Sequence, residues 1–277
     1  MRIVLDLEDT FGDIVRKASH GNAMSVDALA SKTGIAADRL AQFLADAAVP
    51  TEDEARAVAA PLHLDPGKLA DIALARWKPK ERDLDHRFDH QINKPHPSNG
   101  YFVVLDKQRV AAFVDPGGRA DNIIGTLRRS PVALQYILVT HKHRDHIDAL
   151  DDVRAAFPDA RVVVHRLDGP ALGASGRNAI AVNDGDVLPF GDGELRLLHT
   201  PGHTDGSSCF IYEGNVFTGD TLFAGSVGRV FGDRFGYQDL LHAASSKIFT
   251  LPDDTVVFPG HGPPSTIGEE RAHNPFF

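Results

Sequence analysis

The sequence predicts an αββα sandwich of the α+β class, two packed sheets with helices on their outer faces, preceded by a small all-α domain. Three observations predict it. Residues 1–77 carry apolar side chains at helical spacing, broken at Gly21, Gly34, Pro50, Pro61 and Pro66. From Gly100 onward, short apolar runs of strand type dominate. Helical segments then interrupt those strands singly, as two sheets covered on their outer faces require.

Size and composition are compatible with this plan. The 277 residues, 42% of them hydrophobic, can bury a sizeable core without disulfides. Cys209 is the only cysteine, which rules out an intramolecular disulfide and favours a reducing, cytoplasmic setting. No apolar run approaches the roughly 18 residues of a membrane span, and the first residues place acids where a signal peptide would be basic and then apolar. The net charge of −9 argues against a general affinity for nucleic acid or anionic membranes. A homodimer is compatible with this composition.

In the first segment, Ser25 caps a helix carrying Val26, Leu29 and Ala30, Gly34 turns the chain, and Ala36 to Ala45 forms the next helix. Thr51, followed by Glu52-Asp-Glu54, suits a helix N-terminus. Ser25–Ala45 resembles the helix-turn-helix of Cro/C1-type DNA-binding domains, and the five-helix layout of 1–77 is similar to theirs. Its charge fits DNA poorly: the segment has 12 acids against 8 Lys and Arg, and the second helix offers only Arg39, beside Asp38 and Asp46. Nucleic acid is therefore not the expected partner, and packing, dimerisation or covering of a site is the expected role.

Residues 78–90 are nearly all charged and read as a solvated connector, so the second domain is expected over 91–277. There Tyr101–Leu105 and Val110–Val114 read as strands ending in the turn Asp115-Pro-Gly-Gly118, and a helix follows over Asn122–Arg129. Next come strand Tyr136–Thr140, helix Ile147–Phe157 and strand Arg161–His165. Strands near Leu195–His199, Cys209–Tyr212 and Val216–Thr218, helix Tyr237–Ile248 and strand Thr255–Phe258 complete the pattern.

Chemistry concentrates at strand ends. His141-Lys-His-Arg-Asp-His146 offers three imidazoles and a carboxylate within six residues. His141 and His143 can turn to one side while Asp145 and His146 face a neighbouring position, a donor set suited to zinc, iron or manganese. Further candidates, each after a predicted strand, are His203 in Thr200-Pro-Gly-His-Thr-Asp, Asp220 in Thr218-Gly-Asp-Thr and His261 in Phe258-Pro-Gly-His-Gly. Each alone is ordinary turn chemistry; in this order they form a pattern. Thr140, Thr204 and Thr218 stand beside these groups as hydrogen-bond partners or as plain strand residues, and His199 is expected to be structural.

In these motifs the sequence resembles the metallo-β-lactamase superfamily, and within it the glyoxalase II branch of hydroxyacylglutathione hydrolases, over roughly residues 90–277. Gly219-Asp-Thr-Leu-Phe-Ala-Gly-Ser-Val-Gly-Arg229 and Pro259-Gly-His-Gly-Pro263 are most similar to the short glyoxalase II-like proteins. The resemblance implies that His141, His143 and His203 hold one metal, that Asp145, His146 and His261 hold a second, and that Asp220 bridges both. It implies two divalent ions, zinc above iron or manganese, activating a water that attacks the carbonyl of a small thioester or ester. Asp145 and Asp220 are then the catalytic carboxylates, with Asp145 able to shuttle a proton to the leaving group. Arg229 falls where that family places a basic residue meeting a substrate carboxylate, and Phe231 stands where full-length glyoxalase II has Tyr. Persulfide dioxygenases are similar too, with one iron held by residues matching His141, His203 and Asp220. Lactonases, and a DNA-binding regulator sensing a metabolite or metal, are the remaining readings.

Overall fold

The computed structural model of the chain describes residues 3, 5–83, 85, 87–129 and 131–277. Five α-helices form first: α1 (Phe11–Gly21), α2 (Val26–Thr33), α3 (Ala37–Leu44), α4 (Glu52–Ala59) and α5 (Pro66–Ala73). Local chemistry sets their ends. Thr10 and Thr51 close capping boxes with Asp13 and Glu54, Ser25 caps α2, and Gly34 ends it at φ +73°.

Strands β1 (Phe88–Ile92), β2 (Asn99–Leu105), β3 (Val110–Val114), β4 (Ala133–Val139), β5 (Arg161–His165) and β6 (Ile180–Val182) form the first sheet, in that spatial order. Helices α6 (Ala120–Arg129), α7 (Arg144–Ile147), α8 (Leu150–Ala156) and α9 (Gly173–Arg177) lie between its strands in sequence. The second sheet is built from β7 (Val187–Phe190), β8 (Gly193–His199), β9 (Ser208–Tyr212) and β10 (Asn215–Gly219). After a hairpin, β11 (Leu222–Phe223) with β12 (Ser226–Val227), and helix α10 (Tyr237–Lys247), it is completed by β13 (Val256–Pro259) and β14 (Ser265–Thr266); α11 (Ile267–His273) follows. Its order is β14-β13-β10-β9-β8-β7.

The alternation of strand side chains builds the layers. Tyr101, Val103, Tyr136 and Leu138 point between the sheets to meet Leu197, Phe210, Phe217 and Phe258. Their neighbours Phe102, Ile137 and Val139 face outward beneath Ile123, Leu127 and Val153 of α6 and α8. On the opposite outer face, Cys209, Val216 and Val257 pack under Leu240 and Ile248. That cluster continues without interruption into Phe11, Ile14, Phe43, Leu62 and Leu69, so the N-terminal helices share a core with the second sheet.

The structure corrects the segment expected to be a solvated connector. The Lys80 backbone N–H and the Arg82 guanidinium both donate to Glu269 of α11, at 2.9 and 2.5 Å. Phe88 is 3% exposed and stacks on Phe258, so residues 88–90 already belong to β1, because one aromatic side chain outweighs the charges around it. The predicted helix over Ile147–Phe157 begins later, as α8 at Leu150, and a separate single turn, α7, precedes it. Among the described residues no helix is long and apolar enough to cross a membrane.

Candidate metal centre

Strands β8, β10 and β13 run in one direction, β8 and β10 each antiparallel to β9, and β10 parallel to β13. Their C-terminal ends deliver His203, Asp220 and His261, and the end of β4 delivers His141 from the other sheet. His143 is the N-cap residue of α7, whose single turn carries Asp145 and His146 inward. All seven side chains marked out by the motifs meet at this edge of the sandwich.

They meet as two groups. In each of the triplets His141, His143, His203 and Asp145, His146, His261, one donor atom per residue lies within 4.8 Å of the others. His143 Nδ1 is 2.8 Å from His203 Nε2, and His146 Nε2 is 3.4 Å from His261 Nε2. Asp220 stands between the groups: Oδ1 is 3.4 Å from His146 Nε2, while Oδ2 is 3.3 Å from His203 Nε2 and 3.5 Å from His261 Nε2. His141 Nε2 and Asp220 Oδ1 are buried without a hydrogen-bond partner. Buried polar atoms left unmatched in a cluster of nitrogen and carboxylate donors fit a bound cation.

Electrostatics distinguishes the two groups. Burial, reinforced by neighbouring imidazoles, holds His141 far below its ordinary pKa and takes His203 to about 4, so both offer neutral lone pairs. In the other group burial is overcome: the Asp220 charge raises His146 well above its usual value and His261 to about 10. Asp145 stays far below the carboxylate range despite burial, because His146 and His261 hydrogen-bond to it. The carboxylates thus favour positive charge at this group.

Glycines allow the loops to approach this closely. Gly219 has φ +48°, and a Cβ on it would lie 2.4 Å from Thr140 Oγ1. A Cβ on Gly260 would lie 2.2 Å from Asp220 Oδ1, so the middle position of the Pro-Gly-His turn must lack a side chain.

Two carboxylates absent from the predicted site organise it. Asp115, in the turn after β3 at φ +56°, accepts from the Thr140 backbone at 2.8 Å and its hydroxyl at 2.7 Å, and lies 2.9 Å from His146 Nδ1. It fixes the orientation of His146 and the position of the loop carrying His141. Asp168, fully buried, accepts from Lys142 N, Gly206 N and Thr204 Oγ1 at 3.0, 3.0 and 2.7 Å, tying the His143 loop to the His203 loop. Both were hidden as ordinary turn aspartates. Asp115 did carry one signal, its place directly after a strand and before Pro-Gly-Gly.

Of the expected hydrogen-bonding threonines, Thr140 and Thr204 bond these carboxylates, whereas Thr218 Oγ1 donates to Leu222 O. His199 lies outside the cluster, stacked on His165 at 3.9 Å with Nε2 2.8 Å from Asp205 O. Arg229 is 61% exposed and 3.6 Å from Asp13 of α1. Lys17 of α1 is buried, donates to Val227 O at 2.7 Å and pairs with Asp9. Glu8 lies 3.8 Å from His261 Nδ1, and burial raises its pKa. Arg39, the cation of the supposed recognition helix, is committed to both carboxylate oxygens of Glu54.

Residues 93–261 match the metallo-beta-lactamase superfamily. The hydroxyacylglutathione hydrolase GloC of Haemophilus influenzae is 31% identical over 191 residues, 63% of this chain and 90% of that protein. The solved structure of ETHE1 from Myxococcus xanthus is 31% identical with a TM-score of 0.60, covering 68% of this chain and 83% of its own. That of TTHA1623 in a di-iron-bound form is 29% identical with a TM-score of 0.59, covering 68% of this chain and all of its own. With more than half of its length inside the match, and with the motif residues gathered at one edge of an αββα sandwich, the chain belongs to the metallo-beta-lactamase superfamily.

Proposed function

We propose that the chain is a two-metal hydrolase of a small anionic thioester or ester. The observation that carries this reading is Asp220, whose two carboxylate oxygens reach toward both triplets at 3.3–3.5 Å. In this assignment His141, His143 and His203 would hold one ion, Asp145, His146 and His261 would hold the other, and Asp220 would serve both. Likeness to the H. influenzae hydrolase supports the reaction class, and likeness to the di-iron form of TTHA1623 supports the pair of ions. Zinc, iron and manganese all suit the donor set. Two bound ions would supply a water acidic enough to ionise near neutral pH and would polarise the scissile carbonyl.

The protein's own residues do the rest. Asp115 orients His146, and Asp168 locks the two histidine loops together, so little rearrangement is left for the reaction. Asp145, 25% exposed at the side chain, has access to solvent and can carry a proton to the departing thiolate or alkoxide. Arg229 at the rim meets a substrate anion.

Elemental analysis of purified protein together with hydrolysis of lactoylglutathione tests the proposal. About two ions per chain and thiol release are expected, with both falling in His143→Ala; full activity in that variant would refute the assignment. The likeness to ETHE1 favours one competing reading, a persulfide dioxygenase with mononuclear iron. Oxygen uptake on glutathione persulfide, with one iron per chain and no thioester hydrolysis, would establish that alternative.

A further inference from the structure

The cleft above the candidate centre is only partly made by the sandwich. A cavity of about 190 Å³ over His203, Asp220 and His261 is closed on its far side by Asp9, Asp13 and Lys17. Lys17, Arg229 and Phe231 also line a second cavity of about 270 Å³, between α1 and residues 228–237, so the two adjoin.

The charge balance shifts from one cavity to the next. Glu8, Asp9, Asp13 and Asp220 face the metal-proximal space, beside Lys17 and Arg229. The second space instead has Arg16, Lys17 and His20 from α1 and Arg229 opposite, over Tyr237 and Phe231, with no acidic residue among its lining. Asp13 stands at the divide, 2.5 Å from Arg16 Nη2 and 3.6 Å from Arg229 Nη2. It holds both guanidiniums at the boundary, and the contacts described for each side chain's charged group use only Nη2, leaving the other N–H groups of both for a ligand. Phe231, 58% exposed, packs edge-on against His143 at 5.3 Å and His203 at 5.6 Å, giving an apolar step from the centre to the cationic space.

We infer that α1 completes the site for the anionic end of the substrate's thiol leaving group, its Arg16 and His20 lining this second cavity opposite Arg229. The inference rests on the hydrolase reading for its substrate, but it concerns recognition by the N-terminal helices. The acyl carbon is placed at the ions, Phe231 covers the middle of the molecule, and the anion lies between Arg16 and Arg229.

Titration calorimetry on the metal-loaded full chain tests it without requiring turnover. The probes are glutathione, which carries carboxylates; coenzyme A, which carries phosphates; and N-acetylcysteamine, a neutral thiol. One of the two anionic thiols is expected to bind at least about tenfold tighter than the neutral one, and which of them does so identifies the anion. Arg16→Gln and His20→Glu should each reduce that preference on the order of tenfold. His20 is exposed, so its variant guards against a folding defect at Arg16. Arg128→Glu, on the exposed face of α6, should change nothing. Equal or absent binding of all three thiols, or variants that weaken all three alike, would overturn the site. Thioester hydrolysis with unselective thiol binding would do so while leaving the hydrolase standing.

Discussion

The two walls of the active cleft are built differently. On the sandwich side, strand-end loops are tied to one another by buried carboxylates: Asp115 binds Thr140 and His146, and Asp168 binds three groups from two loops. On the α1 side, the wall rests on apolar packing and on one buried cation, Lys17, paired with Asp9 and seated on the β12 carbonyl of Val227. On the proposed reading, chemistry that needs fixed donors would sit on the first wall, and groups that choose a substrate would sit on the second. Rigidity and selectivity would then be assigned to separate parts of the chain.

The largest test of this division is Asp220→Ala. It removes the carboxylate between the triplets, so turnover should fall by roughly a thousandfold and metal content should drop, while circular dichroism stays unchanged. The α1 wall should instead fail through stability. Lys17→Met strands a buried carboxylate at Asp9 and is expected to cost about 3–5 kcal/mol in chemical denaturation. Adding Asp9→Leu should recover most of that; a double variant as unstable as the single one would mean that the pair is not what holds the wall.

Beneath the same wall, Glu270 of α11 is fully buried and accepts from Gly225 N at 3.0 Å and from Asn274 at 2.9 Å, supporting the β11–β12 hairpin on which Lys17 rests. Burial pushes its carboxyl up to about 7 from the ordinary 4.5. A raised carboxyl pKa costs nothing below about pH 4.5, where the group is neutral folded and unfolded; the cost grows from there to about pH 7 and is then constant. Glu270→Gln should therefore be more stable than the parent by on the order of 2–3 kcal/mol above pH 7, a gain that vanishes near pH 4.5. A gain independent of pH would contradict this. The smallest effect is expected at Asp115→Ala, where metal affinity falls roughly 10- to 100-fold because His146 loses its orienting partner.

The same contrast explains what the sequence made legible. His141, His143, Asp145, His146, His203, Asp220 and His261 stood out because unusual side chains followed strands, and strand ends of a layered sheet converge. Asp115 and Asp168 carry as much of the geometry, yet an aspartate in a turn is ordinary and its partners lie 25 to 38 residues away. The layers followed from short apolar strand runs, as in β2 and β4, interrupted singly by helices. That α1 closes the cleft did not follow: helical spacing reveals an apolar face without naming what covers it, and nothing local joins Asp13 to Arg229.

The bond from Lys17 to Val227 spans 210 residues of chain, and Tyr237 lies farther still. Helix α1 is synthesised well before its seat, and before Asp220 and His261. Contacts this distant in sequence close late in folding. The space over the triplets is therefore complete only once residues far apart in the sequence have met, so its two walls become a cleft together.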